Sequence, residues 1–142
     1  HVQYARAAPD GDSKRMSDYT YAAVVTRVVD GDTIDCSVDL GFHMMASLRF
    51  RLHGYDAPEV TGVERVLGGI ARDYLSGFLR GENVTLTTHK GDSFGRWLAS
   101  VELADGRDLV LHLLGAGYGV AWDGRGLRPS FDPTSTYPLE PR

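Results

Sequence analysis

An aspartate directly after a tight turn is the first feature of this sequence that could do chemistry. Asp30-Gly31 is a strong signal for a β-hairpin turn, and it follows an apolar, β-branched stretch. The turn accounts for Asp30 and Gly31, but Asp32 stands where a β-forming residue would pair better. Taken alone, Asp32 is typical of a solvated turn. Together with a second acidic motif, it indicates a cation site.

The second acidic motif is Asp56-Ala57-Pro58-Glu59. Because Pro58 restricts Ala57 to extended conformations, the Ala57 carbonyl has a fixed direction between two acids. Hard cations such as Ca²⁺ take carboxylate and backbone carbonyl oxygens together. In isolation this proline loop is more typical of plain surface. As a cation site, it would supply a carboxylate from Asp56, a carbonyl, and a spare carboxylate at Glu59.

Two arginines complete the set of residue types. Arg51 precedes Asp56 by five residues, and Arg96 ends the glycine-containing segment 89–96. Each is a solvated arginine by default, but a guanidinium fork matches phosphate oxygens and stays charged. Phosphodiester hydrolysis needs a metal for the phosphate, a base for water, and cations for the developing charge. The sequence offers candidate residues for each of these three needs.

Charge and cysteine content restrict the alternatives. The 142 residues carry a formal net charge of −4; residues 21–43 hold one arginine and four aspartates, whereas residues 44–96 hold seven basic and six acidic side chains. This balance disfavours tight, static DNA binding, because phosphate contacts dominate affinity, and favours weak, metal-bridged binding. The single cysteine, Cys36, excludes an internal disulfide and a Cys/His zinc cluster.

Three predicted strands must position these residues. Segments 21–29, 33–38 and 44–54 are joined by tight turns and form a meander. Apolar and polar residues alternate along the third strand, which places Arg51 on its polar face. The acidic proline motif then lies in a predicted loop, 55–62.

The rest of the domain is a helix, two strands and a second helix. Apolar spacing becomes helical over 63–79, where Gly68-Gly69 indicates either a loose or a closely packed beginning. The apolar stripe of this helix is predicted to contain Val63, Val66, Leu67, Ile70, Tyr74 and Phe78. Strands 83–88 and 97–103 and a short helix near 109–114 follow. We therefore predict an α+β fold: an OB-type five-stranded β-barrel with a helix between strands 3 and 4 and a second short helix near the C-terminus.

The ends of the chain lack such periodicity. Residues 1–20 are predicted to be a disordered leader or remnant, 21–122 the nuclease domain, and 123–142 an irregular Pro/Gly-rich tail. No apolar run approaches the roughly 18 residues of a membrane helix, and no secretory leader is visible. We therefore expect no membrane partner and a monomer, and we favour a cytoplasmic over a secreted location.

Several motifs in one order resemble the staphylococcal nuclease (thermonuclease-like) family. The resemblance runs from about Val24 to Trp122. The motifs are Val28-Val29-Asp30-Gly31-Asp32-Thr33, Phe50-Arg51-Leu52, Asp56-Ala57-Pro58-Glu59, Gly62-Val63-Glu64 and Phe94-Gly95-Arg96. The resemblance implies a calcium-dependent nuclease that acts on DNA and RNA, favours accessible or single strands, and leaves 3′-phosphate ends.

The resemblance also implies a role for each site residue. Asp32 and Asp56 would bind Ca²⁺ through their side chains, and Ala57, which replaces a threonine of the best-known member, through its carbonyl. Glu59 would be the base or orienter for the attacking water. Arg51 and Arg96 would hold and stabilise the phosphate as catalytic residues.

Two aromatic residues are predicted to bind substrate. Phe94 replaces the tyrosine of a lysine-tyrosine pair that recognises the nucleotide phosphate in the best-known member; it can stack but cannot donate a hydrogen bond. Trp122 lies near another aromatic position of the family and could stack a base, worth roughly 1–3 kcal/mol. Packing into the core is the alternative role for Trp122.

Two rival functions fit the same fold. A non-catalytic OB-type nucleic-acid-binding module would not need the acids, which repel phosphate. An interaction domain with structural Ca²⁺ would leave Glu59 and the two arginines without a task. The nuclease uses all of them.

Overall fold

Eight strands and two helices make up the described part of the chain. The computed structural model describes residues 2–3, 19–89 and 96–139. In chain order the elements are β1 Val2–Gln3, β2 Thr20–Asp30, β3 Thr33–Gly41, β4 Met44–Leu52, β5 Tyr55–Asp56, α1 Arg65–Leu79 after a 3-10 turn at Gly62–Glu64, β6 Asn83–His89, β7 Trp97–Leu103, α2 Leu109–Ala116 and β8 Val120–Ala121. Neither helix is long and apolar enough to cross a membrane.

Five of the strands close into a mixed barrel. Strands β2, β3 and β4 form an antiparallel meander, β4 pairs in parallel with β7, and β7 pairs antiparallel with β6. Because β6 pairs back onto β2, the sheet closes. The short strand β1 pairs with the beginning of β2. With α1 between β4 and β6 and α2 after β7, the structure confirms the predicted α+β, OB-type barrel.

The segment predicted as a loop after β4 begins with a strand. Tyr55 and Asp56 form β5, which pairs antiparallel with β8, outside the barrel sheet. Two residues are too few for alternation to be visible in a sequence, and the partner strand lies about 65 positions further along. This pairing fixes the backbone of Asp56.

The predicted apolar stripe of α1 is partly wrong. Val63, Val66 and Ile70 are exposed, whereas the buried face comprises Leu67, Gly68, Ala71, Leu75 and Leu79. The prediction weighted large apolar side chains. In the structure, small residues on the buried face allow the helix to approach the Gly31 turn and the Glu59–Val60 peptide closely. Gly68 shows this most clearly, so the beginning of the helix is closely packed.

The chain after β8 has no helix or strand within residues 122–139, yet it is anchored. Phe131 is buried with Leu67 and Val120 in a small second core. The Tyr137 hydroxyl donates to the Leu67 carbonyl at 2.6 Å, and Leu139 N–H donates to the Gly117 carbonyl at 2.7 Å. This segment therefore lies across α1 and β8.

Candidate active site

The turn between β2 and β3 and the end of β4 meet β5 at one end of the barrel. Asp32 Oδ2 accepts a hydrogen bond from Ala57 N–H at 3.0 Å, and its Oδ1 accepts one from the Thr33 hydroxyl at 3.0 Å. Arg51 Nη2 lies 2.8 Å from Asp56 Oδ1 and 3.7 Å from Asp32 Oδ2. The two aspartates, far apart in the chain, thus contact the same guanidinium.

Close packing of small residues permits this meeting. A Cβ atom on Gly31 would lie 2.8 Å from the Cβ atoms of both Ala57 and Ala71. The hairpin turn therefore sits directly against the proline motif and α1. The Ala57 side chain is buried in this contact.

Asp56 is the most buried acid of the site. Its side chain is 0% exposed, and Oδ2 has no hydrogen-bond partner within the described residues. Burial and the Asp32 charge raise the pKa of Asp56 to about 7, although Arg128 and Arg51 oppose this shift. A buried carboxylate oxygen without a partner is energetically unfavourable unless a proton or cation satisfies it.

The carboxyl groups of Asp30 and Asp32 interact with each other, and their pKa values shift in opposite directions. Burial, the hydrogen bond with Asp32 and the Asp32 charge raise the pKa of Asp30 to about 8. Burial also tends to raise the pKa of Asp32. However, hydrogen bonds from Asp30, Ala57 N–H and Thr33, together with the Arg51 charge, hold it below its usual value. Asp32 therefore stays ionised while Asp30 keeps its proton.

These shifts predict how stability depends on pH without divalent cations. Asp30 and Asp56 have raised pKa values, so the folded protein keeps protons that the unfolded chain releases above about pH 4. The stability they contribute is present below that pH and is lost as the pH rises through about 7 to 8. The lowered pKa of Asp32 acts in the opposite direction, but below about pH 4.

Asp30→Asn should reduce this loss. Asparagine can keep the Oδ1 acceptor that Asp32 N–H contacts at 3.0 Å, but it cannot ionise. Between about pH 5 and pH 8, the free energy of unfolding of the variant should fall less steeply than that of the wild type, by up to about 1.4 kcal/mol per pH unit. Denaturant unfolding at several pH values measures this. Parallel curves for the two proteins would contradict the assignment.

Glu59 is held by its backbone while its carboxylate remains accessible. Its N–H donates to Glu64 Oε1 at 2.9 Å, and its side chain is 50% exposed. A Cβ on Gly68 would lie 1.9 Å from the Glu59 carbonyl oxygen, so only glycine lets α1 approach the Glu59–Val60 peptide. The loop is therefore fixed from two sides.

The site opens into a cavity of about 1050 Å³, which both predicted catalytic arginines line. The Arg51 side chain is only 14% exposed, and its guanidinium lies 5.1 Å from the Trp122 ring centroid. Arg96, directly before β7, and Glu59 also line the cavity. The cavity thus has both cationic and acidic side chains in its walls.

The predicted substrate-binding aromatics have different outcomes. Trp122 is half-buried at the cavity wall, and its indole N–H donates to the Arg125 carbonyl at 2.9 Å. Its ring therefore faces Arg51 rather than the barrel core. Phe94 lies outside the described residues, as do the other residues of 90–95.

Two residues of the site were not predicted from the sequence. Arg128 Nη2 contacts the Ala57 carbonyl at 2.9 Å and Glu59 Oε1 at 3.1 Å. Glu64 is buried, and its Oε2 accepts from Phe131 N–H at 3.1 Å. Glu64 belongs to the motif Gly62-Val63-Glu64, from which no role for its side chain was predicted. Arg128 lies in the C-terminal segment 123–142, which has no helical or strand periodicity. No sequence signal identified their partners.

The donor set fits a hard divalent cation only with help from the backbone and water. Within residues 19–89 and 96–139, no group of three or more His, Cys, Asp or Glu side chains is arranged to hold a metal. Two carboxylates, Asp32 and Asp56, contact the same Arg51 guanidinium, Asp32 also accepts from Ala57 N–H, and the Asp56 Oδ2 atom lacks a hydrogen-bond partner within the described residues. Oxygen ligands of these kinds, completed by waters, suit Ca²⁺.

Part of this chain is similar to two proteins named as endonucleases. No protein-family model matches the chain. Over 98 residues, 69% of this chain, it is 33% identical to a protein of Escherichia coli O157:H7 named "Uncharacterized endonuclease". A second Escherichia coli protein of the same name is equally similar, also over 98 residues. The chain spans 58% of the length of each of these relatives.

Proposed function

We propose that this protein is a nuclease that hydrolyses phosphodiester bonds of DNA and RNA with the help of Ca²⁺, in the manner of the staphylococcal nuclease family. One observation carries the proposal. Asp32 and Asp56, 24 positions apart in the chain, contact the same Arg51 guanidinium, and Arg51 and Asp32 line a cavity together with Glu59 and Arg96. The similarity to proteins named as endonucleases supports the same class of reaction.

Each side chain has a task in this proposal. Glu59, half-exposed at the rim, accepts a proton from the attacking water or orients it. Arg51 and Arg96 bind the phosphate oxygens and stabilise the charge that grows on them. The 5′-oxygen leaves, and the product retains a 3′-phosphate. The open cavity suits accessible or single strands, and Trp122 is placed to stack a base.

The cation site of the proposal comprises the carboxylates of Asp32 and Asp56 and the carbonyl of Ala57. A divalent ion bound there supplies neutralisation and orientation of the scissile phosphate. The buried Asp56 Oδ2, which has no hydrogen-bond partner among the described residues, and the raised pKa values of Asp30 and Asp56 support an excess of acid at this point. An excess of buried acid is what a cation relieves.

A cleavage assay tests the function. Purified protein is incubated with denatured DNA, or with RNA, in the presence of Ca²⁺ or of a chelator, and the products are analysed on a denaturing gel. We expect Ca²⁺-dependent degradation and 3′-phosphate ends. A retarded but intact strand would instead indicate a binding module. The absence of any effect on nucleic acid, with each of several divalent ions, would contradict the proposal.

Two neighbouring glycines of α1 provide a matched pair of variants. Gly68→Ala would force the Glu59 carbonyl away from the helix, because the new Cβ would lie 1.9 Å from it; the nearest atom to a Cβ on Gly69 is 3.9 Å away. We expect Gly68→Ala to lower turnover at least tenfold and to destabilise the fold by about 1–3 kcal/mol. Gly69→Ala should keep its activity and gain about 0.5–1 kcal/mol. Cleavage rates and thermal unfolding measure both; equal behaviour would contradict this role of Gly68.

A further inference from the structure

A third arginine occupies the acidic side of the cavity. Arg128 Nη2 lies 2.9 Å from the Ala57 carbonyl oxygen, 3.1 Å from Glu59 Oε1 and 3.4 Å from Glu64 Oε1. Its Nε lies 3.4 Å from Asp56 Oδ1. One guanidinium thus touches four oxygen groups, all of which belong to residues 56–64.

Two of these groups are oxygens that a divalent cation would need. The Asp56 carboxylate and the Ala57 carbonyl belong to the proposed cation site, and both already interact with Arg128. A cation held at roughly 2.3–2.6 Å from these oxygens would stand close to the guanidinium. Since the two positive charges repel each other in a partly buried site, they compete for the same oxygens.

We propose that Arg128 is the internal cation of this site. Its guanidinium neutralises and positions Asp56, the Ala57 carbonyl and Glu59 while no divalent ion is bound, and it must release the Ala57 carbonyl when one binds. This inference rests on the cation site of the proposed function. It adds a positioning residue to the site and implies that this residue lowers the affinity for the divalent ion.

The surroundings of Arg128 allow its side chain to move without loss of the fold. Its backbone segment is held by Phe131, which is buried and donates its N–H to Glu64 Oε2 at 3.1 Å. The Arg128 side chain itself is 30% exposed, so it has a path into solvent. When it withdraws, Glu64 keeps its bonds to the Glu59 and Phe131 N–H groups.

Calcium affinity without nucleic acid tests the competition. Isothermal titration of Ca²⁺ compares the wild type with Arg128→Gln and with Arg125→Gln, a matched loss of charge at an exposed arginine three residues away. We expect Arg128→Gln to bind Ca²⁺ at least tenfold more tightly, equivalent to about 1.4 kcal/mol, and Arg125→Gln to bind like the wild type. Unchanged or weaker binding by Arg128→Gln overturns the proposal.

Two further measurements separate charge from folding. Arg128→Lys keeps the positive charge, so its Ca²⁺ affinity should stay near the wild-type value; a gain as large as that of the glutamine variant would overturn the competition. In the wild type, nitrogen NMR of the arginine Nε–H groups should show the Arg128 resonance shifting on Ca²⁺ addition, while that of Arg49, paired with Asp35 at 2.7 Å, stays unchanged. An unmoved Arg128 resonance at saturation would also overturn it.

The Ca²⁺-binding experiments test the role of Arg128 separately from the proposed nuclease function. Tighter Ca²⁺ binding by Arg128→Gln, together with a wild-type protein that cleaves no nucleic acid, would support the role of Arg128 and contradict the proposed function. No binding of Ca²⁺ by any variant would overturn the role of Arg128, while the cleavage assay with other divalent ions would still decide the function.

Discussion

Glu59→Gln is expected to lower the cleavage rate by roughly 10²–10⁴-fold while the protein folds normally. The amide keeps the size of the side chain and can still contact Arg128, which lies 3.1 Å from Glu59 Oε1, but it cannot accept a proton from water. Because the side chain is half-exposed, stability should change by only about 0.5 kcal/mol. Single-turnover cleavage of a labelled oligonucleotide and thermal unfolding measure the two effects.

Glu102→Gln is the control for this variant. Glu102 is exposed on β7 and does not line the cavity. The Glu102→Gln variant loses the same charge as Glu59→Gln, but at a position that does not line the cavity. Its cleavage rate should therefore stay near that of the wild type. If Glu59→Gln retained a rate within about tenfold of the wild type, Glu59 would not be the base.

Arg51→Lys should lose at least roughly 10²-fold in turnover. The Arg51 fork contacts Asp56 and lies near Asp32 while it faces the cavity, and a lysine ammonium cannot serve the aspartates and a phosphate in the same geometry. The ammonium can still pair with Asp56, which Arg128 also contacts, so the fold should persist. Steady-state cleavage and circular dichroism distinguish lost chemistry from lost structure.

Arg49→Lys is the matched control on the same strand. Arg49 lies two residues earlier on β4 and forms a bidentate pair with Asp35, at 2.7 and 3.1 Å, so its fork is engaged by Asp35 rather than by Asp32 or Asp56. An exposed pair of this kind contributes little to stability, so this variant should retain turnover. Wild-type rates in Arg51→Lys, or equal losses in both variants, would remove Arg51 from the mechanism.

Local sequence patterns determined most of the barrel. The strand that contains Arg51 alternates clearly, so its polar face was predictable, and the Asp30-Gly31 turn marked the β2–β3 hairpin. Strand 97–103 was predicted with its observed bounds. Each of these signals depends on neighbouring residues, because strand periodicity and turn geometry act within a few positions.

The buried face of α1 shows where local reasoning failed. Of the predicted stripe, Val63 in the preceding 3-10 turn and Val66 and Ile70 in α1 are exposed, whereas Gly68 packs against the Glu59–Val60 peptide and Ala71 is buried. Distance to the neighbouring backbone, rather than hydrophobicity, selected this face: the Glu59 carbonyl leaves no room for a side chain at position 68. A periodicity of apolar residues cannot report such a contact.

In the candidate site, too, some features follow from the local sequence and others only from the tertiary structure. The sequence by itself determined the residue types of the site and their motifs: the turn that carries Asp32, the rigid Asp56–Glu59 spacing, and Arg51 on a polar strand face. Only the tertiary structure decided that Asp32 and Asp56 share one guanidinium, and that Arg128 and Glu64 join them. Turns and alternation are local, whereas contacts across 71 positions, such as the hydrogen bond from Arg128 to the Ala57 carbonyl, exist only after barrel closure brings the segments together.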